Sequence, residues 1–156
     1  NQALSNPYTG VLSNFASRLL NGKSPLIFED GKQKRDLISV RDIARACRLA
    51  LEVSGAAFQA MNVATGRPLT LSEIAACMAR VLGKPDLQPE IKGKYRSGDI
   101  RHCYADISLA TRILGFEPTV ALESDIENLA AWLDGQVAVD RGVEARAELA
   151  ARGLMV

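Results

Sequence analysis

The sequence predicts an α/β fold with few, short strands, and three observations carry that reading. Apolar residues recur at helical spacing in five separate windows. The runs between them that favour strands are only four to seven residues long, and Gly or Pro closes most segments. No internal repeat or low-complexity tract interrupts the pattern.

The first helix is expected over Thr9–Asn21, with Val11, Leu12, Phe15, Ala16, Leu19 and Leu20 on one face, Thr9 as cap and Gly22 as stop. Two strands follow, Leu26–Glu29 and Arg35–Ser39, joined by an Asp-Gly turn that allows a direct hairpin without requiring one. Ser39 and Asp42 stand at capping-box spacing ahead of a helix over Arg41–Val53. Phe58–Ala64 reads as a strand. Thr70 and Glu73 form a second capping box, opening a helix that carries Ile74, Ala75, Met78 and Leu82 and stops at Gly83. A short strand at Leu87–Ile91 leads into the polar loop Lys92–Cys103. Asp106 then caps a helix running to Leu114, and Leu122–Leu133 forms the last strong helix, with Trp132 inward. Residues 1–135 make one domain, and 136–156 a peripheral, charge-covered helical tail.

The 156 residues suffice to bury a core. Nineteen basic residues face eighteen acidic ones, a net charge of +1, so electrostatics argue for neither a nucleic-acid nor an anionic-membrane partner. No apolar run approaches the roughly 18 residues of a membrane helix, and no signal-peptide pattern opens the chain. Cys47, Cys77 and Cys103 form no Cys-x-x-Cys pair, which argues against zinc and a disulfide framework and for reduced, cytoplasmic thiols. The chain opens on NQALSNPYTG without Met, and so reads as part of a longer protein.

Several side chains could carry chemistry. Arg35 opens an otherwise apolar strand; its guanidinium fork suits a phosphate or carboxylate, or it pairs with Asp36 or Glu29. Arg96 and Asp99 bracket Ser97-Gly98, a loop able to hold an anion on the arginine and a hydroxyl on the carboxylate, or simply to be solvated. Leu26 and Phe28 share a strand face, for base stacking or for core packing. His102 has no partner at metal or triad spacing and reads as an exposed loop histidine, while Tyr104 reads as core edge. No serine has a base in view.

In order and spacing, Gly31-x-Gln33-x-Arg35-Asp36, Val40–Ala44, Asn62-Val63-Ala64-Thr65-Gly66, Arg96-x-Gly98-Asp99 and Asp106-x-Ser108 resemble one family. It is the extended short-chain dehydrogenase/reductases, in particular the NAD-dependent nucleotide-sugar epimerases and dehydratases of the UDP-glucose 4-epimerase type. The resemblance covers Ala3 to Leu133. QALSNPYTGV with FEDG is also similar to the branch containing dTDP-rhamnose 4-epimerases. The family often carries His or Tyr where Ser39 stands.

The resemblance implies a C-terminal substrate-binding domain lacking the N-terminal Rossmann domain. It puts Arg35 and Arg96 on the substrate's diphosphate and Asp99 on the ribose. Phe28 and Leu26 would lie beside the pyrimidine, and the segment reaching Val11 would line the pocket. NAD serves the complete enzyme, but this sequence has neither Gly-x-Gly-x-x-Gly nor Tyr-x-x-x-Lys. The chain alone is therefore expected to bind no NAD and to be inactive. Its implied partners are a UDP- or dTDP-sugar and the absent NAD-binding domain. That domain's docking face would be left apolar and exposed, open to self-association. The alternatives are a dehydratase fragment and a non-catalytic binding or assembly module.

Overall fold

A computed structural model describes residues 10–95, 97–133, 147 and 150–153. Helix α1 (Val11–Leu20) buries Phe15, Ala16 and Leu19 and ends at Asn21, before Gly22 turns the chain with φ +68°. Gly10 is the residue at its N-cap, and the Thr9 cap lies outside the described residues. Arg18, itself buried, donates from Nε to the Ser24 carbonyl at 2.6 Å and so fixes the path into strand β1 (Leu26–Ile27). Strand β2 (Lys34–Arg35) and helix α2 (Val40–Glu52) come next, followed by a single 3-10 turn at Ser54–Ala56.

Strand β3 (Leu69–Thr70) runs directly into helix α3 (Leu71–Val81). After it come β4 (Glu90–Ile91), β5 (His102–Cys103), α4 (Ser108–Leu114) and α5 (Leu122–Leu133). Mixed α/β architecture with short strands is thus what the sequence predicts.

The strands form two small sheets. In one, β1 lies parallel to β4, with Leu26 opposite Glu90 and Ile27 opposite Ile91. In the other, β2 is central, antiparallel to β3 and parallel to β5, so Arg35 faces Leu69 on one side and Cys103 on the other. The main core gathers Phe15 and Leu19 of α1, Ile27 of β1, Ile74 and Met78 of α3 and Ile126 of α5. Each such side chain stabilises the fold by roughly 1.5–3 kcal/mol on burial. A smaller cluster joins Ala46 of α2 to Ala110 and Leu114 of α4 and to Phe116.

Several local expectations are corrected. The segments Leu26–Glu29 and Arg35–Ser39 shorten to two-residue strands, and they pair with other strands rather than with each other. The turn between them folds on itself instead. Glu29 and Gly31 adopt φ +56° and +75°, and Gln33 donates its side-chain amide to the Phe28 carbonyl at 2.7 Å. Gly31 is required there, because a Cβ would stand 2.3 Å from Ser72 Oγ.

Phe58–Ala64 is not a strand. Phe58 has φ +61° with its ring fully exposed, and no strand among the described residues pairs with the segment. Leu87–Ile91 contracts to β4, and His102 and Cys103 leave the loop to form β5. Ser39 does cap α2, accepting the Arg41 N–H at 3.2 Å, but Asp42 completes no capping box and turns elsewhere. Helix α4 begins at Ser108, where Asp106 accepts both the Ser108 N–H (2.9 Å) and its hydroxyl. Tyr104 is exposed rather than at the core edge. The expected tail helix falls largely outside the described residues.

Candidate functional site

Arg35 sits at the centre of the three-stranded sheet, with the loop leading into β5 beside it. Its Nη1 donates to the carbonyls of Lys34 (2.8 Å) and Arg101 (2.9 Å), and its Nη2 to that of Ile100 (2.7 Å). A guanidinium has five N–H donors. Three are therefore engaged with backbone, and among the described residues Nε–H and one Nη2–H have no partner. Two donors in one plane match the two oxygens of a phosphate or carboxylate. Neither pairing open to Arg35 from sequence forms: Glu29 bonds Arg101, and Asp36 bonds the Thr65-Gly66 turn.

Asp99 is exposed in that same loop, one residue before the Ile100 carbonyl that Arg35 holds. Arg35 and the Asp99 loop are thus brought together, while Arg96 lies outside the described residues. Phe28 is half-buried at the end of β1, its carbonyl tied by Gln33. Leu26 is buried, with 9% of its surface exposed, and Val11 is half-buried against the main core. No described contact joins Leu26 or Val11 to Arg35.

Arg101 is a residue that sequence reasoning did not single out. Its Nη1 donates to Glu29 Oε2 at 2.5 Å and its Nη2 to Asp30 Oδ2 at 2.7 Å, straddling two carboxylates of the turn after β1. Asp30 is held down at about 2, first by the Arg101 hydrogen bond and then by the Lys32 N–H. The two carboxylates in turn raise Arg101 further. His102, in β5, accepts the Lys34 N–H on Nδ1 at 3.2 Å.

Asp36 has a scaffolding role. Its carboxylate accepts the Thr65 N–H (2.9 Å), the Thr65 hydroxyl (2.5 Å) and the Gly66 N–H (3.0 Å), fastening the Asn62–Gly66 turn to the strand that carries Arg35. The Arg-Asp pair therefore divides its labour, one side chain toward the Asp99 loop and the other toward the Gly66 turn. No group of three His, Cys, Asp or Glu side chains among the described residues could hold a metal ion.

Residues 3–64 match the NAD dependent epimerase/dehydratase family. The chain is 33% identical over 133 residues to the dTDP-L-rhamnose 4-epimerase of Burkholderia thailandensis, covering 85% of this chain and 36% of that protein. It is 36% identical over 117 residues to the UDP-glucose 4-epimerase of Mycolicibacterium smegmatis, covering 75% of this chain and 36% of that one. Among solved structures it is similar to the UDP-N-acetylglucosamine 4-epimerase of Methanobrevibacter ruminantium. There the TM-score is 0.76 at 33% identity, over 87% of this chain and 43% of the other. The chain thus spans a little over one third of the length of these curated relatives. On these matches and this fold, the chain belongs to the NAD dependent epimerase/dehydratase family.

Proposed function

We propose that this chain is the nucleotide-sugar-binding part of an NAD-dependent 4-epimerase, holding the nucleoside-diphosphate portion of a UDP- or dTDP-sugar. The observation that carries the reading is the Arg35 guanidinium. It grips the carbonyls of Ile100 and Arg101 beside Asp99 and retains two donors for an anion. The relatives' names, a dTDP-sugar and a UDP-sugar epimerase, support the ligand class.

Arg35 and Arg96 would take the diphosphate through charge-assisted hydrogen bonds. Asp99 would accept protons from the ribose hydroxyls, Phe28 would lie against the base, and Leu26 and Val11 would line the pocket behind it. Firm binding of the diphosphate leaves the sugar, the part that reacts, free to turn. That division suits an epimerase, because binding energy from a remote group can be used to orient the reacting centre.

The residues of this chain do not fit NAD. The sequence has no Gly-x-Gly-x-x-Gly turn to receive a pyrophosphate and no Tyr-x-x-x-Lys pair. The cofactor would be held by polypeptide beyond these 156 residues, and the chain alone is expected not to turn over. The NAD-binding part is accordingly the partner proposed for it.

Calorimetric titration of the chain with UDP and dTDP tests the reading. The parent is expected to bind, and the Arg35→Ala, Arg96→Ala double variant to bind at least about a hundredfold more weakly, since each charge-assisted contact is worth roughly 1.5–3 kcal/mol. A folded parent that binds neither nucleotide overturns it, as does a double variant that binds as tightly as the parent. The second result would favour a non-catalytic module whose arginines serve the fold.

A further inference from the structure

Arg101 lies between two parts of the proposed site without being assigned to either. On one side is the turn Phe28–Gly31, which presents the ring proposed to face the base. On the other is the loop carrying Asp99, whose backbone Arg35 holds at Ile100 and Arg101. The loop approaches the turn through the Arg101 side chain, which bonds Glu29 and Asp30 at once. The carboxylates it meets are already oriented. Asp30 Oδ1 accepts the Lys32 N–H at 3.0 Å. Glu29 is fixed through its backbone, donating its N–H to the Lys94 carbonyl (2.7 Å) and accepting the Gly93 N–H (3.1 Å).

We infer that Arg101 is a positioning residue: its bridge to Glu29 and Asp30 sets the distance between the Phe28 turn and the Asp99 loop, and so sets nucleotide affinity. The inference rests on the nucleotide-binding reading above and names a residue that reading does not use. Arg101 is about half exposed, as is Asp30, with Glu29 more covered. Solvent and salt screen pairs of this kind, so the bridge adds little to global stability. A rotatable loop held in one arrangement nevertheless loses less entropy when ligand arrives, which is where the affinity comes from.

Two measurements on the 156-residue chain test this together. Amide hydrogen exchange is read at Glu29 and Gly93, whose N–H groups bond across the same seam, in the ligand-free parent and in Arg101→Ala and Arg101→Lys variants. UDP and dTDP affinities are read on the same proteins and on a Glu29→Gln, Asp30→Asn variant with and without Arg101→Ala. Exchange is expected to quicken in Arg101→Ala and to be partly restored in Arg101→Lys, with the melting temperature nearly unchanged. Affinity is expected to fall about tenfold in Arg101→Ala. It should fall by no more when the carboxylates are already removed, because the arginine then has nothing to act through.

Unchanged exchange overturns the bridge whether or not nucleotide binds. A further full loss of affinity on adding Arg101→Ala to the carboxylate variant also overturns it, and makes Arg101 a direct ligand contact. Exchange that quickens in Arg101→Ala while the parent binds no nucleotide upholds the bridge and overturns the proposed function instead.

Discussion

Asp42 shows how much one carboxylate can organise. Only 1% of its surface is exposed, yet it accepts four hydrogen bonds: from Arg45 Nη2 (2.9 Å), the Thr119 hydroxyl (2.9 Å), and the N–H groups of Thr119 and Val120 (both 3.0 Å). It thereby ties α2 to the segment entering α5, next to the Arg45 guanidinium stacked 5.2 Å over the Phe116 ring. Burial pushes its pKa up. The Val120 N–H, Arg45 and the two Thr119 donors outweigh that and hold it below the usual aspartate value. A folded-state pKa below the unfolded one makes the stabilisation complete above about pH 4 and removes it as pH falls through the folded value. Asp42→Ala is therefore expected to lose about 3 kcal/mol at pH 7, chiefly by stranding buried donors. Urea unfolding at pH 7 and at progressively lower pH checks this. The gap between parent and variant should narrow on the acid side of pH 4, and a gap that stays constant there would refute the assignment. Spacing alone made Asp42 a capping-box partner of Ser39, because Ser39 is three residues away and Thr119 is 77. Arg101 was missed for the same reason, its carboxylates standing 71 and 72 residues back. Ion pairs of this range leave no mark in local sequence, whereas the Arg35 and Asp99 motifs were legible as ordered short patterns.

The elements that were legible are those whose causes are local. The Thr70 box is the clearest. Thr70 Oγ1 accepts the Glu73 N–H at 3.2 Å, and the Glu73 carboxylate accepts the Thr70 N–H and hydroxyl, both at 2.7 Å. The Thr70 N–H and then its hydroxyl hold Glu73 below the usual glutamate pKa against a small upward push from burial, with Lys34 adding to the depression. The hydrogen bonds of the box are all encoded within four residues. Thr70→Ala is expected to cost about 1 kcal/mol, lowering the melting temperature by roughly 2–4 °C in a domain of this size. Thermal unfolding followed by circular dichroism measures it, and a variant melting with the parent would show that packing against the core fixes the start of α3 without the cap. Strands were read less well, because a strand is completed by a neighbour and not by its own residues. Phe58–Ala64 has the composition of a strand but no ladder partner among the described residues, and its backbone stays irregular. The pairing of β1 with β4, across more than sixty residues, was likewise invisible to a reading that could see only an Asp-Gly turn between adjacent segments.

Over the molecule as a whole, one face is unusual for a chain of such balanced charge. Val40, Ile43, Cys47 and Leu51 recur along α2 at intervals of three and four and form one exposed stripe, with Val40 80% and Leu51 89% exposed. Phe58 is exposed just beyond the helix, at the start of an irregular segment that pairs with no strand among the described residues. Contiguous apolar surface of this kind marks an interaction site. The chain spans little over a third of its curated relatives, so the proposed occupant is the NAD-binding part, which would cover the stripe and offer partners for the segment. For these 156 residues alone, with a net charge of only +1, little electrostatic repulsion keeps two copies apart. The chain is thus expected to self-associate reversibly as its concentration rises, and Leu51→Lys with Phe58→Lys to return it to monomer while leaving nucleotide affinity alone. Sedimentation velocity across a concentration series distinguishes the cases. A parent that stays monomeric at high concentration would show that the stripe alone is too small an interface. Association that persists in the double variant would place the contact on another face and remove the reason for docking the NAD-binding part on α2.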